Sequence, residues 1–224
     1  MDVVRGSGGN NSERHLLIAG YATDVELTCD ALFHMPADPA GRCAVSVHYY
    51  TPSVFAIPEE DADWGKCRST WGTEADFKEL QKYMEMIETN FIAQGIPVIM
   101  GEYGCPKNNK DEESVRLFLT SVCEAAYDRQ ICPILWDITG VHYDRGSCKM
   151  TDSLLQEGLM ENLRRFTRYF RNFFYLCGMS RKIRVFGHMP IASCSKIFSC
   201  YVSLVAKKSL KATTRNAYIG KNSI

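Results

Sequence analysis

The sequence predicts an α/β fold in which parallel strands alternate with helices, and three observations carry this. Short apolar runs at 16–19, 44–49, 95–101 and 131–135 each close on glycine, proline or polar residues. Between the later runs lie segments whose apolar residues recur with helical period. The order is strand then helix throughout, which suits a parallel sheet covered by helices.

The elements follow in chain order. Leu16-Leu17-Ile18-Ala19 is the first strand. Ala44-Val45-Ser46-Val47-His48-Tyr49-Tyr50-Thr51-Pro52 is the second, a β-branched run stopped by proline. His48 and Tyr50 are two apart and point to one face of an extended chain. A long loop with Phe55, Trp64 and Trp71 comes next. From 74 to 94, Phe77, Leu80, Tyr83, Met84, Ile87 and Phe91 keep helical period, with Thr73 as cap. The third strand lies in Gly95-Ile96-Pro97-Val98-Ile99-Met100-Gly101-Glu102-Tyr103-Gly104, which ends on one carboxylate in a glycine-flanked turn. A helix over 111–127 carries Val115, Phe118, Leu119 and Val122 on one face. Ile131-Cys132-Pro133-Ile134-Leu135-Trp136-Asp137 is the fourth strand, and 151–162 a closing helix started by Thr151 or Asp152.

Taken singly, these strand ends have ordinary readings. Glu102 reads equally as a surface-loop glutamate, a histidine after a strand is more often structural, and a lone tryptophan usually packs in a core. Together they place His and Tyr, then Glu, then Trp at three successive strand ends. That set suits a sugar, whose ring presents apolar faces to aromatics and whose hydroxyls need polar partners. Glu102 then reads as half of a two-carboxylate catalytic site.

The stretch from Arg14-His15-Leu16-Leu17-Ile18-Ala19-Gly20-Tyr21 through Val45-Ser46-Val47-His48-Tyr49-Tyr50, Trp71-Gly72-Thr73, Ile99-Met100-Gly101-Glu102-Tyr103-Gly104 and Ile134-Leu135-Trp136-Asp137 resembles the second half of glycoside hydrolase family 5, the cellulase-like endoglucanases. The resemblance covers roughly residues 1–163. It implies the C-terminal half, strands five to eight, of a TIM-type (β/α)8 barrel, with hydrolysis of β-glucans by retention as the reaction. It further implies Glu102 as nucleophile, His48 and Tyr50 orienting it and contacting sugar, and Trp136 as a stacking platform. Trp71, in the aromatic loop, is a further candidate sugar contact, core packing being the commoner fate of a tryptophan. The implied partner is a β-glucan polysaccharide or oligosaccharide, and no cofactor and no metal are expected.

The family's acid/base is the glutamate of an Asn-Glu dipeptide ending the fourth strand, and no such dipeptide occurs here. Val3-Val4-Arg5 matches the end of the fourth helix, so the resemblance places the first four strands outside this chain. Asp24 and Glu26 follow the first strand here and are the carboxylates that could approach the cleft, though nothing in their spacing marks a general acid. The expectation is therefore a chain with little or no activity alone, the alternative being a non-catalytic polysaccharide-binding remnant. A half barrel also leaves one sheet face and two edges open, which predicts self-association.

Composition divides the chain. Residues 1–163 hold all 26 acidic side chains, whereas 164–224 hold 13 basic and no acidic ones. This marks 1–163 as the partial barrel and 164–224 as an irregular basic tail, read as frameshifted or disordered sequence. Its basic clusters suit an anionic surface, yet no nucleic-acid motif accompanies them. The apolar stretch 197–206 is too short to span a bilayer. The ten cysteines show no paired Cys-x-x-Cys metal pattern, and the seven before residue 164 are an odd number for a complete disulfide framework. The family usually acts outside the cell, but no secretory signal opens this sequence.

Overall fold

The structure, a computed structural model, describes residues 1–137 and 140–176, with side chains described through residue 165. In chain order the elements are α1 (Asp2–Gly6), β1 (Leu16–Ala19), α2 (Val25–Thr28), β2 (Cys43–Tyr49), α3 (Ser53–Ala56), α4 (Glu74–Asn90), β3 (Val98–Tyr103), α5 (Glu112–Asp128), β4 (Cys132–Leu135), β5 (Tyr143–Asp144), β6 (Lys149–Met150) and α6 (Ser153–Leu176). Strands β1 to β4 form one parallel sheet in sequential order, and β5 and β6 form a small antiparallel hairpin that the sequence reading missed.

The register sorts residues between the two faces of the sheet. Ile18 pairs with Val45, Val45 with Val98 and Val47 with Met100. Val45, Val47, Tyr49, Val98, Met100 and Tyr103 join the hydrophobic core beneath the helices. On the opposite face, Leu17 lies beside Ala44, Ala19 beside Ser46, Ser46 beside Ile99, and Ile99 beside Cys132. The central strands bury both faces, which is why they read as nearly continuous apolar runs. At the flanking strands the second face is open: Leu17 is 50% and Ile134 41% exposed.

Two long helices cover the core face. Helix α4 starts at a capping box in which the Thr73 side chain accepts from the Asp76 N–H and the Asp76 carboxylate accepts from the Thr73 N–H. It buries Leu80, Met84 and Ile87. Gly95, at φ +77°, takes the left-handed turn that leads into β3. Helix α5 is capped by Asp111, whose carboxylate accepts from the Ser114 N–H at 2.7 Å, and buries Val115, Phe118, Leu119 and Val122.

Phe118 gathers Tyr49, Phe55 and Trp71 around it, with ring centroids 6.4, 5.4 and 5.4 Å away. Trp71 is therefore a core residue, 4% exposed, and also packs edge-on at 4.9 Å against Phe77. This corrects its expected role as a sugar contact: α4 and α5 both need an aromatic filler where the loop crosses them, and the indole supplies it.

Helix α6 is longer than expected. Asp152 caps it, accepting from the Leu154 and Leu155 N–H groups, and Leu155 is fully buried. Asn162 donates to the Thr120 carbonyl at 2.9 Å, and Arg165 pairs with Glu124. The helix runs on to Leu176, so the start of the segment expected to be irregular is helical. The remainder of the basic tail lies outside the described residues. Among the described residues no helix is long and apolar enough to cross a membrane.

Strand β3 departs from simple alternation. Val47 pairs with Met100 but His48 pairs with Glu102, so Gly101 is an extra residue in the ladder. Such a bulge shifts the side-chain alternation by one. Without it, Glu102 would share the core face with Met100; with it, Glu102 shares the open face with His48. A Cβ at Gly101 would sit 3.2 Å from Ser46 Oγ and 3.4 Å from His48 Nε2, so the glycine also makes room for the imidazole.

Two stability predictions follow from these contacts. Burial raises the Asp76 carboxyl pKa, but the Arg68 guanidinium, Thr73 and the backbone N–H groups of Thr73 and Gly72 outweigh it and hold the group at about 2. A folded pKa below the unfolded value of 3.8 gives stability that is full above about pH 3.8 and is lost as pH falls toward 2. Asp76→Asn should cost about 1–3 kcal/mol in denaturant unfolding at neutral pH and flatten that acid limb. Gly101→Val should cost about 1–3 kcal/mol by crowding His48 and Ser46; a variant as stable as the parent would show that the bulge is not tightly packed.

Candidate active site

Glu102 stands at the C-terminal end of β3, a quarter of its side chain exposed. The Tyr50 hydroxyl donates to its Oε2 at 2.9 Å, and His48 Nδ1 lies 3.3 Å from the same oxygen. The expectation that His48 and Tyr50 share a face is met, and the shared object is this carboxylate. Burial, then the hydrogen bond to Glu102 and its charge, push the Tyr50 phenol well above its ordinary pKa. Tyr50 is thus held as a neutral donor at any working pH.

Trp136 follows β4 and is 47% exposed. Its backbone N–H donates to the Tyr103 carbonyl at 2.9 Å, extending the β3–β4 ladder by one residue. Gly104 permits this approach, because a Cβ there would sit 3.0 Å from the Trp136 carbonyl oxygen. The indole and the carboxylate are therefore carried by neighbouring strand ends joined by backbone.

Two clefts meet at Tyr50. One, of about 390 Å3, lies among Tyr50, Ile57, Glu59, Gly104, Trp136, Asp137 and His142. The other, of about 560 Å3, lies among Asp24, His48, Tyr50, Pro52, Glu79 and Tyr83. The loop after β2 walls the first. Lys110 anchors that loop by donating to the carbonyls of Pro58 and Arg68 at 2.8 and 3.0 Å, while Asn108 donates to Glu59 at 2.9 Å.

The carboxylates near the first strand are otherwise engaged. Asp24 caps α2 by accepting from the Leu27 N–H at 2.8 Å, and Glu26 pairs with Lys82 at 3.0 Å. Neither is presented as a general acid. Among the described residues no group of three or more His, Cys, Asp or Glu could hold a metal ion. None of the seven described cysteines is in a disulfide.

The sequence reading gave no role to Asp137 and His142. Asp137 accepts three backbone N–H bonds, from Val141 and His142 at 3.1 Å and from Tyr143 at 2.7 Å. His142 is 2% exposed, and its Nε2 lies 2.7 Å from the Cys105 carbonyl oxygen. A carbonyl only accepts, so Nε2 carries the proton. Burial above all lowers the pKa of this imidazole and favours its neutral form. An aspartate just after a strand and ahead of a glycine is a recognisable turn former, which was the available signal for Asp137. His142 carried none.

Comparison with known proteins identifies the family. The family model for cellulase, glycosyl hydrolase family 5, matches residues 1–141. An Endoglucanase A from Paenibacillus barcinonensis is 33% identical over 159 residues, which cover 61% of this chain and 39% of that protein. A xyloglucan-specific endo-beta-1,4-glucanase from Bacteroides ovatus is 30% identical, covering 61% of this chain and 30% of that protein. Among solved structures, a broad-specificity endoglucanase from an uncultured bovine rumen ciliate superposes with TM-score 0.66 at 34% identity, over 72% of this chain and 50% of that one. A Caldicellulosiruptor lichenase in complex with cellotetraose gives TM-score 0.63 at 28% identity, over 72% and 46%. The chain spans half or less of the length of these relatives. Their fold is the TIM-type barrel, and with the family model matching well over half of its residues this chain belongs to glycosyl hydrolase family 5, the cellulase family.

Proposed function

We propose that this chain is the nucleophile-bearing portion of a retaining endo-β-glucanase, with β1 to β4 corresponding to strands five to eight of the barrel. The observation that supports it most is the Glu102 carboxylate, held through one oxygen by Tyr50 and His48 beside an exposed Trp136. Chemistry at the C-terminal ends of strands is the rule in such barrels.

Both contacts fall on Oε2, which leaves Oε1 to attack the anomeric carbon. Attack forms a glycosyl ester on Glu102 and breaks the bond to the leaving oxygen, which must take a proton from a second carboxylic acid about 5 Å away. Water then hydrolyses the ester, with that second group as base. Asp24 caps α2 and Glu26 pairs with Lys82, so on this reading neither is that acid. On this reading the chain binds glucan and turns it over poorly or not at all by itself. The relatives are named for endoglucanase, xyloglucanase and lichenase activities, so a β-linked glucan is the substrate class proposed. The open sheet face, with Leu17 and Ile134 exposed, supports self-association of the isolated chain.

Calorimetric titration with cellotetraose tests the reading. The full chain should bind it, Trp136→Ala should weaken binding about tenfold, worth about 1.4 kcal/mol, and Glu102→Gln should retain binding while removing any reducing-sugar release. Absence of cellotetraose binding by the folded chain would reject the proposal.

A further inference from the structure

Resting on the reading of the Tyr50–Trp136 cleft as a glucan site, we infer that Asp137 and His142 are positioning residues that lock the strand end carrying Trp136 to the strand end carrying Glu102. Neither is a catalytic residue. They act through the backbone of the two turns that bear the sugar platform and the nucleophile.

The argument begins with connectivity. Glu102 and Trp136 stand at the ends of adjacent strands, and past Leu135 the backbone bond that joins these strands is the one from the Trp136 N–H to the Tyr103 carbonyl. Beyond it, the β3 chain continues through Gly104 and Cys105 and the β4 chain through Asp137. Two parallel strands that part at their ends splay freely unless something ties them.

Asp137 supplies the first half of the tie. By accepting from the N–H groups of Val141, His142 and Tyr143 it folds the chain after β4 back toward the sheet. Arg145 reinforces the same turn by donating to the Asp137 carbonyl at 2.8 Å. The turn is held at its base by Thr151, whose hydroxyl donates to the Val141 carbonyl at 2.7 Å and whose N–H donates to the His142 carbonyl at 2.8 Å.

His142 supplies the second half. The fold-back delivers its ring beneath the cleft, where Nε2–H donates to the Cys105 carbonyl, three residues past Glu102. The bond crosses from the β4 turn to the β3 turn and is fully shielded from water. Among the described residues His142 Nδ1 has no hydrogen-bond partner, so the polar bond this ring makes within them is the one from Nε2. Histidine reaches from one turn to the other with a rigid ring that has few rotamers to lose, which suits a spacer between two loops.

Positioning predicts a particular pattern. Removing the tie should loosen Trp136 and weaken sugar stacking while the core beneath, centred on Phe118, stays folded. Glutamine can replace the donor, since its side-chain amide also presents N–H to a carbonyl, whereas alanine cannot. Substituting Asp137 with asparagine keeps the volume but turns one acceptor into a donor facing N–H groups.

The experiment uses the full chain carrying Trp64→Phe, so that Trp136 is the exposed tryptophan among the described residues and Trp71 remains shielded in the core. In that background His142→Ala, His142→Gln and Asp137→Asn are compared by acrylamide quenching of tryptophan fluorescence and by cellotetraose titration. Far-UV circular dichroism checks folding. The inference expects quenching to rise about twofold in His142→Ala and Asp137→Asn and to return toward the parent in His142→Gln. It expects cellotetraose affinity to fall about fivefold to tenfold in the first two and to recover in the third. A folded His142→Ala chain with parental quenching and affinity would overturn it, as would glutamine behaving like alanine. If His142→Ala does not fold, Asp137→Asn decides by the same two readings. If the parent binds no cellotetraose, the glucan reading fails, while the quenching comparison still decides whether the tie exists.

Discussion

The site depends on one irregularity in the sheet. Gly101 inserts an extra residue into β3 opposite the step from Val47 to His48, and so Glu102 leaves the core face and meets His48 and Tyr50 on the open one. A buried carboxylate under the helices would have been an uncompensated charge. Turned outward it has two polar partners and a quarter of its side chain exposed. The absence of a side chain at Gly101 matters because the Ser46 hydroxyl and the His48 imidazole lie where a branched side chain would go.

Everything beneath that point serves to keep it fixed. The aromatic group around Phe118 joins β2, α3, the long loop and α5 into one packed body. The capping box at Thr73 and Asp76 starts α4 at a defined place, and Arg68 ties the loop to the same carboxylate. Above it the protein is less uniform. The face bearing Glu102 has exposed apolar residues at both flanking strands, and the chain spans half or less of its relatives' length. The well-packed sheet carries both Glu102 and Trp136, the two residues on which the proposed function rests.

Much of this was legible in the sequence because the residues concerned obey simple periods. The four strands and the two long helices fall where their apolar patterns place them, and Thr73 caps where its side chain predicts. His48, Tyr50 and Glu102 were found from strand ends and alternation, although the bulge that brings them together was not. Trp71 misled because a loop tryptophan looks alike whether it faces a cleft or plugs a gap between helices; only the positions of Phe77 and Phe118 decide it. The end of α6 was set too early, since the loss of acidic residues after 163 is a change in composition and carries no helix stop signal. His142 was invisible because its partner is a backbone carbonyl, which leaves no mark on the sequence.

The central claim is that Glu102 is the nucleophile of a retaining glycosidase, and its most direct test removes the need for a general acid. An activated dinitrophenyl glycoside of a fluorinated cellobiose carries a leaving group that departs without protonation, while the fluorine slows hydrolysis of the ester. Incubated with the full chain and followed by peptide mass spectrometry, it should add one glycosyl group to the peptide containing Glu102, and none to the Glu102→Gln variant. A folded chain that binds cellotetraose but gains no adduct, or gains it on another carboxylate, would contradict the assignment.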